Sequence, residues 1–222
     1  MSDIPPTHSA ERAATLVTYL VNPLALPPVF LTLAALHAGA EPHSAGRVAV
    51  GSTAIYFVLP VVILLVLKRT GSVDSIEVRR RSQRVVPYVS GTILCILAVP
   101  LLAWAGAPFG ALMALFATWF AVNLALLFLI NRRMKISVHA AGIAGFAAFL
   151  LWTRLLVPVA PEAVVSISLE LVAIGFLLVP VVGWSRIVLR AHTRREVLAG
   201  TAFGILMSTV EVVLSSAAGL LP

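Results

Sequence analysis

The chain has 222 residues, of which 60% are hydrophobic and 11% are charged, and its mean hydropathy is +1.02. A composition this apolar excludes a soluble domain and predicts a polytopic integral membrane protein. The net charge of +7 does not indicate a nucleic-acid-binding protein, because most of the cations lie in a few short segments between apolar runs.

The first 13 residues are polar and lack the basic start of a cleaved signal peptide, so we predict one transmembrane domain over residues 14–222. A membrane-spanning helix needs about 20 apolar residues. Seven stretches qualify, and they predict an all-α bundle of six to seven transmembrane helices. They are roughly Ala14–Leu36, Val48–Leu67, Val86–Ala105, Phe109–Ile130, Ser137–Val157, Ala163–Trp184 and Arg195–Leu220.

The first of these stretches is interrupted by prolines. Asn22-Pro23 and Pro27-Pro28 remove backbone hydrogen-bond donors and should kink or break a helix. The alternative to seven spans is therefore six spans that follow a broken first segment.

The loops differ strongly in charge. Segments 68–84, 131–135 and 185–194 fall on one side of the membrane and carry most of the lysines and arginines, whereas Arg47 and Arg154 lie towards the other side. The positive-inside rule places the basic segments on the cytoplasmic side of the membrane. We expect that membrane to be a bacterial-type inner or plasma membrane.

The segment Ser185–Gly200 carries four arginines, a histidine and a glutamate between two apolar stretches. His192 and Glu196 are four residues apart and share a helix face if the last helix begins near them. The carboxylate can then hold one imidazole nitrogen and leave the other as a nucleophile, while Arg186 offers a guanidinium to an oxyanion. This pattern indicates phosphoryl chemistry on a lipid; the alternative is a basic helix end with a solvated histidine.

Two further polar groups lie on the same side. Ser137 can cap the helix that follows it, beside the free N–H groups of its first turn, and His139 can protonate a leaving oxygen. Taken alone, these residues also fit an ordinary helix cap with a solvated histidine. Arg81 and Arg84 precede Pro87 in a basic segment, a common arrangement before a membrane span.

These segments resemble the signatures of the type 2 phosphatidic acid phosphatase superfamily. Ser185-Arg186, five residues, His192, three residues and Glu196 resemble the third signature, with Glu in place of the usual Asp. Ser137-Val138-His139 is similar to a reduced second signature, Pro-Ser-Gly-His. Arg81 and Arg84 before Pro87 resemble the first signature without its lysine. The resemblance covers roughly residues 79–204.

The resemblance implies phosphoryl transfer through a phosphohistidine, with no metal and no cofactor. His192 would attack phosphorus, Glu196 would orient it, and His139 would protonate the leaving group. The residues that would hold the phosphoryl oxygens are Arg186, Ser137, Arg81 and Arg84. Partners would be the lipid bilayer and a lipid or isoprenoid (di)phosphate substrate.

Other functions fit parts of the pattern. A catalytically inactive relative that binds lipid phosphate would keep the same residues. A transporter would also use charged loops, but it usually has interrupted spans in both halves. A magnesium-dependent prenyltransferase needs acidic clusters, whereas the basic loop holds only Asp74 and Glu77.

Charges inside the spans lead to a structural prediction. Arg154, Glu170 and Glu211 fall at similar depth on three different helices. Isolated charges in a membrane are costly, so we expect Arg154 to pair with at least one glutamate; the alternative is that it reaches the nearby headgroups.

Small residues lead to a second structural prediction. Gly200 and Gly204, and likewise Ala141 and Gly145, are four residues apart below the two histidines. Such pairs let helix backbones approach closely in a membrane. We expect the two helices to cross there and to bring His139 and His192 together.

Overall fold

The computed structural model describes residues 8–75, 78, 80–161 and 163–221, without the side chain of Arg81. Within these residues every regular element is a helix. They are α1 (His8–Leu20), α2 (Leu26–His37), α3 (Pro42–Thr53), a π-helical turn (Ala54–Val58), α4 (Leu59–Arg69), a 3₁₀ turn (Arg81–Arg84), α5 (Val85–Ala105), α6 (Gly110–Asn131), α7 (Val138–Leu156), α8 (Leu169–Val188) and α9 (Arg194–Ala217).

Six helices in the described chain are long and apolar enough to cross a membrane, which confirms the helical membrane bundle. They comprise the continuous unit Pro42–Arg69 (α3 to α4), Ser82–Ala105, Gly110–Asn131, Val138–Leu156, Leu169–Val188 and Arg194–Ala217. The alternative count of six, preceded by a broken segment, is therefore the one that the structure supports.

The break in the first apolar stretch lies at the predicted prolines. The chain leaves α1 at Leu20, and the side chain of Asn22 accepts a hydrogen bond from the Leu24 N–H in a tight turn. Helix α2 then has 12 residues, about 18 Å at 1.5 Å per residue, too short for a hydrocarbon core of about 30 Å.

Helix α2 is inserted in the bundle between α3 and α7. Phe30 is 1% exposed, and its ring lies 4.9 Å from that of Phe116 and 5.3 Å from that of Phe149. At the far end of α2, His37 donates from Nε2 to the Val157 carbonyl and accepts at Nδ1 from the Ile167 N–H. The aromatic core anchors the middle of α2, and this histidine fixes its C-terminal end on the side of the bundle opposite the basic loops.

Helices α7 and α9 cross at the predicted small residues. A Cβ atom on Gly200 would lie 2.5 Å from the Ser137 carbonyl oxygen, and one on Gly204 would lie 2.7 Å from the Gly145 nitrogen and meet the Ala141 carbonyl oxygen. Only glycine allows this approach, so the predicted crossing is confirmed.

The predicted pairing of Arg154 is wrong. No ion pair joins it to Glu170 or Glu211 in the part of the chain that the structure describes. Arg154 lies in the last turn of α7 and Glu170 in the first turn of α8, where the helix dipole stabilises each charge separately. Glu211 instead accepts a hydrogen bond of 3.2 Å from the amide of Asn123 on α6.

Candidate functional site

The basic loops meet at one end of the bundle. The Lys135 ammonium, between α6 and α7, donates to the Ala191 carbonyl, between α8 and α9, at 2.7 Å. Arg84, just before α5, donates from Nη1 to the side chain of Asn131 at the end of α6, at 3.2 Å. Three segments that are far apart in the sequence thus form one polar cluster.

The turn between α8 and α9 sets the spacing of Arg186 and His192. The Arg186 carbonyl, in the last turn of α8, accepts hydrogen bonds from the N–H groups of Ala191 and His192, at 3.1 and 3.2 Å. Arg190, within this turn, has a φ of 49°, the left-handed conformation that commonly ends a helix. The backbone therefore holds the guanidinium-bearing residue and the histidine next to each other.

His192 is oriented by Glu196, as the sequence predicts. Its Nδ1 lies 2.8 Å from the carboxylate, and because a carboxylate can only accept, Nδ1 carries the proton. Thr193 caps α9, and its N–H also donates to the Glu196 carboxylate in a capping box. The cap fixes Glu196, and Glu196 in turn leaves Nε2 of His192 available for chemistry.

The surroundings keep His192 neutral. Burial lowers the pKa of its imidazole below the ordinary value of 6.5, and the hydrogen bond to Glu196 opposes this effect. The cations Lys135, Arg84 and Arg186 lower the pKa further. At neutral pH the imidazole therefore keeps the lone pair that a nucleophile needs.

His139 and Ser137 play different parts at the start of α7. His139 lines the same cavity as His192, whereas Ser137 is fully buried and is not among the lining residues. The Ser137 hydroxyl accepts from the Ala140 N–H at 3.3 Å, which confirms the predicted cap. Its proposed contact with a phosphoryl oxygen stays a prediction.

The segment before α5 contributes Arg84. This side chain is 8% exposed, lines the cavity, and donates from Nε to the Val78 carbonyl at 2.9 Å. Arg81 begins the same 3₁₀ turn, but its side chain lies outside the described residues, so its predicted role is untested.

One cavity of about 400 Å³ connects this polar end with the apolar interior. Four cationic or imidazole side chains line the end of the cavity at the basic loops, which we call its mouth: Arg84, His139, Arg186 and His192. Along α7 its wall runs from Val138 to Phe149, about 16 Å at 1.5 Å per residue, or roughly half a hydrocarbon core. The remaining wall is largely apolar, so the cavity suits a molecule with an anionic head and a hydrophobic chain.

Three polar residues at this end were not predicted as site residues. Thr18 on α1 contacts Arg186, Asn131 contacts Arg84, and Lys135 contacts the loop of His192. Lys135 lies two residues before Ser137, and this position could have indicated that it belongs to the site. No sequence signal connects Thr18 to a partner 168 residues away.

Comparison with known proteins adds no relative. No protein-family model matches this chain, and neither the curated proteins nor the solved structures include a match.

Proposed function

We propose that this protein is a membrane-embedded phosphatase that hydrolyses a lipid or isoprenoid (di)phosphate through a phosphohistidine. We further propose that the similarity of its three segments to the type 2 phosphatidic acid phosphatase signatures reflects membership of that superfamily. The observation that carries the proposal is the His192–Glu196 pair, 2.8 Å apart, at the cationic mouth of an apolar cavity.

In the first step, Nε2 of His192 attacks phosphorus as the bond from phosphorus to the lipid oxygen breaks. His139 takes up a proton together with the anionic substrate and gives it to that oxygen, so the lipid leaves as an alcohol, or as a monophosphate if the substrate is a diphosphate. Glu196 stabilises the positive charge that develops on the attacking imidazole.

In the second step, water attacks the phosphohistidine. His139, now neutral, accepts a proton from the water as the P–N bond breaks, and inorganic phosphate and the free His192 imidazole are restored. Each proton that His139 donates is thus returned in the second step, and no redox partner is needed.

Arg84 and Arg186 supply the positive charge that phosphoryl transfer requires. Both side chains are buried and line the mouth, where fixed cations stabilise the transition state more strongly than they would in water. We propose that they hold the phosphoryl oxygens and make a divalent cation unnecessary. The proposed substrate reaches the mouth from the cytoplasmic leaflet, because the surrounding loops are basic.

A panel of lipid and isoprenoid phosphates, assayed for phosphate release in detergent with excess chelator, tests the activity. His192→Asn should abolish turnover and retain substrate binding, since Arg84 and Arg186 remain. His43→Asn is the matched control, because His43 is exposed at the start of α3, far from the basic loops.

Rapid-quench labelling tests the intermediate. We expect an acid-labile, base-stable phosphoprotein that is absent in His192→Asn. Undiminished turnover with Asn at position 192, or an absolute need for a divalent metal, would contradict the mechanism. Binding of lipid phosphate without any turnover in the wild type would indicate the inactive, lipid-phosphate-binding alternative.

A further inference from the structure

The amino-terminal helix α1 lies outside the six spanning helices and packs on α8. Ala14 and Thr18 are its buried residues, whereas Leu16, Tyr19 and Leu20 are 59%, 69% and 72% exposed. A short amphipathic helix of this kind is typical of the membrane interface. Its one buried polar side chain, Thr18, lies against the phosphate site.

The hydroxyl of Thr18 joins a chain of hydrogen bonds that ends on α8. Arg186 Nη1 lies 3.1 Å from Thr18 Oγ1, and because a guanidinium can only donate, Thr18 accepts. Thr18 Oγ1 also lies 3.4 Å from Ser185 Oγ, which itself donates to the Val182 carbonyl at 2.8 Å. The hydroxyl proton of Ser185 is therefore already engaged, so Thr18 is the donor in the hydrogen bond between the two hydroxyls.

Within this series of hydrogen bonds, the Thr18 hydroxyl accepts from Arg186 and donates to Ser185. Arg186 is 3% exposed and Thr18 is 4% exposed. A buried guanidinium with a fixed acceptor loses rotational freedom, which orients its remaining N–H groups. Since Arg186 lines the cavity mouth, Thr18 influences where a bound phosphate meets it.

The turn that follows α1 contacts α7, the helix that carries His139. A Cβ atom on Gly142, one turn beyond His139 on α7, would lie 3.2 Å from Cβ of Pro23. Tyr19 and Leu24 line the cavity beside these residues. The segment from α1 to this turn therefore touches both the helix that carries Arg186 and the helix that carries His139.

We infer that the amino-terminal segment completes the phosphate site, and that Thr18 is a positioning residue that sets the Arg186 guanidinium for its phosphate ligand. The inference rests on the proposed function in one respect: it takes the anionic head of the ligand to bind at Arg186. Thr18 lines the cavity, but its hydroxyl is engaged by Arg186 and Ser185, so we assign it a positioning role and not a direct contact with phosphate.

Thr18→Val keeps the shape of the side chain and removes the acceptor. We expect kcat/KM for lipid phosphate to fall about 10-fold, the usual effect of losing a hydrogen bond to a charged group. Thr18→Ser, which keeps the hydroxyl, should restore it. Thr15→Val is the matched control, because the exposed Thr15 hydroxyl bonds, among the described residues, only to the Glu11 carbonyl of its own helix.

A double-mutant cycle separates positioning from general destabilisation. In an Arg186→Ala background, Thr18→Val should cause no additional loss. A loss that persists undiminished without Arg186 would overturn the inference, and so would equal effects of Thr18→Val and Thr15→Val. If Thr18→Val does not fold, Thr18→Ala enters the same cycle, because it removes the hydroxyl without placing a second methyl group beside Arg186.

Binding measured in a His192→Asn background distinguishes failure of this inference from failure of the proposed function. The probes are a lipid phosphate and the same lipid ending in a hydroxyl. Thr18→Val should weaken binding of the phosphate form about 10-fold and leave the hydroxyl form unchanged. If the wild type releases no phosphate, the proposed function fails, yet this comparison still decides the role of Thr18. Equal weakening of the binding of both lipids would overturn the inference about Thr18.

Discussion

The crossing of α7 and α9 offers a test in which a single methyl group is added to a backbone contact. In Gly204→Ala the new Cβ would lie 2.7 Å from the Gly145 nitrogen and would also meet the Ala141 carbonyl oxygen. Both neighbours are backbone atoms, so no side chain can rotate away. The new alanine can be accommodated only if the two helices move apart.

The size of the effect follows from these contacts. To reach ordinary van der Waals contact at 3.4 Å, the distance to the Gly145 nitrogen must rise from 2.7 Å, a displacement of at least 0.7 Å. Overpacking of this kind costs about 1–3 kcal/mol. The same displacement moves His139 on α7 relative to His192 near the start of α9, and misplacement by about 1 Å can lower a rate on the order of 100-fold.

Two other glycines on helices provide matched controls. In Gly145→Ala the new Cβ would lie 3.5 Å from Ser208 Oγ, and in Gly46→Ala nothing lies within 4 Å. Thermal unfolding in detergent and phosphate release should both be impaired in Gly204→Ala and nearly unchanged in the two controls. A Gly204→Ala protein as stable and active as the wild type would refute the packing argument, and equal damage in all three would refute its specificity.

Three further outcomes are expected. When kcat/KM is plotted against pH, the acid limb should have its midpoint below pH 6.5, because only neutral His192 attacks. Lys135→Met removes a cation that lowers the His192 pKa, so it should move that limb to higher pH. An unmoved limb would contradict the assigned electrostatics. Single cysteines at Ser72 and Arg133, in a Cys95→Ala background, should resist impermeant reagents in intact cells, and labelling from outside would reverse the orientation. Vanadate should inhibit turnover and a chelator should not; the opposite pattern would favour metal-dependent chemistry.

Several features follow from the sequence because they depend on short-range physics. A bilayer requires long apolar helices with their backbone hydrogen bonds satisfied internally, so hydropathy locates the spans and prolines locate the break in the first stretch. The Ser137 cap and the His192–Glu196 pair are equally local, because each joins residues within one helical turn. The two pairs of small residues could also be recognised, since their four-residue spacing places each pair on one helix face.

Other contacts were decided only by the tertiary structure. Thr18 meets Arg186 across 168 residues, and Arg84 meets Asn131 across 47. The sequence predicts a similar depth for Arg154 and Glu211, yet Glu211 accepts a hydrogen bond from Asn123 instead. Hydropathy gives the depth of a residue but not the rotation or tilt of its helix, which packing against neighbouring helices sets. Which side chains face one another across the bundle therefore depends on the assembled helices.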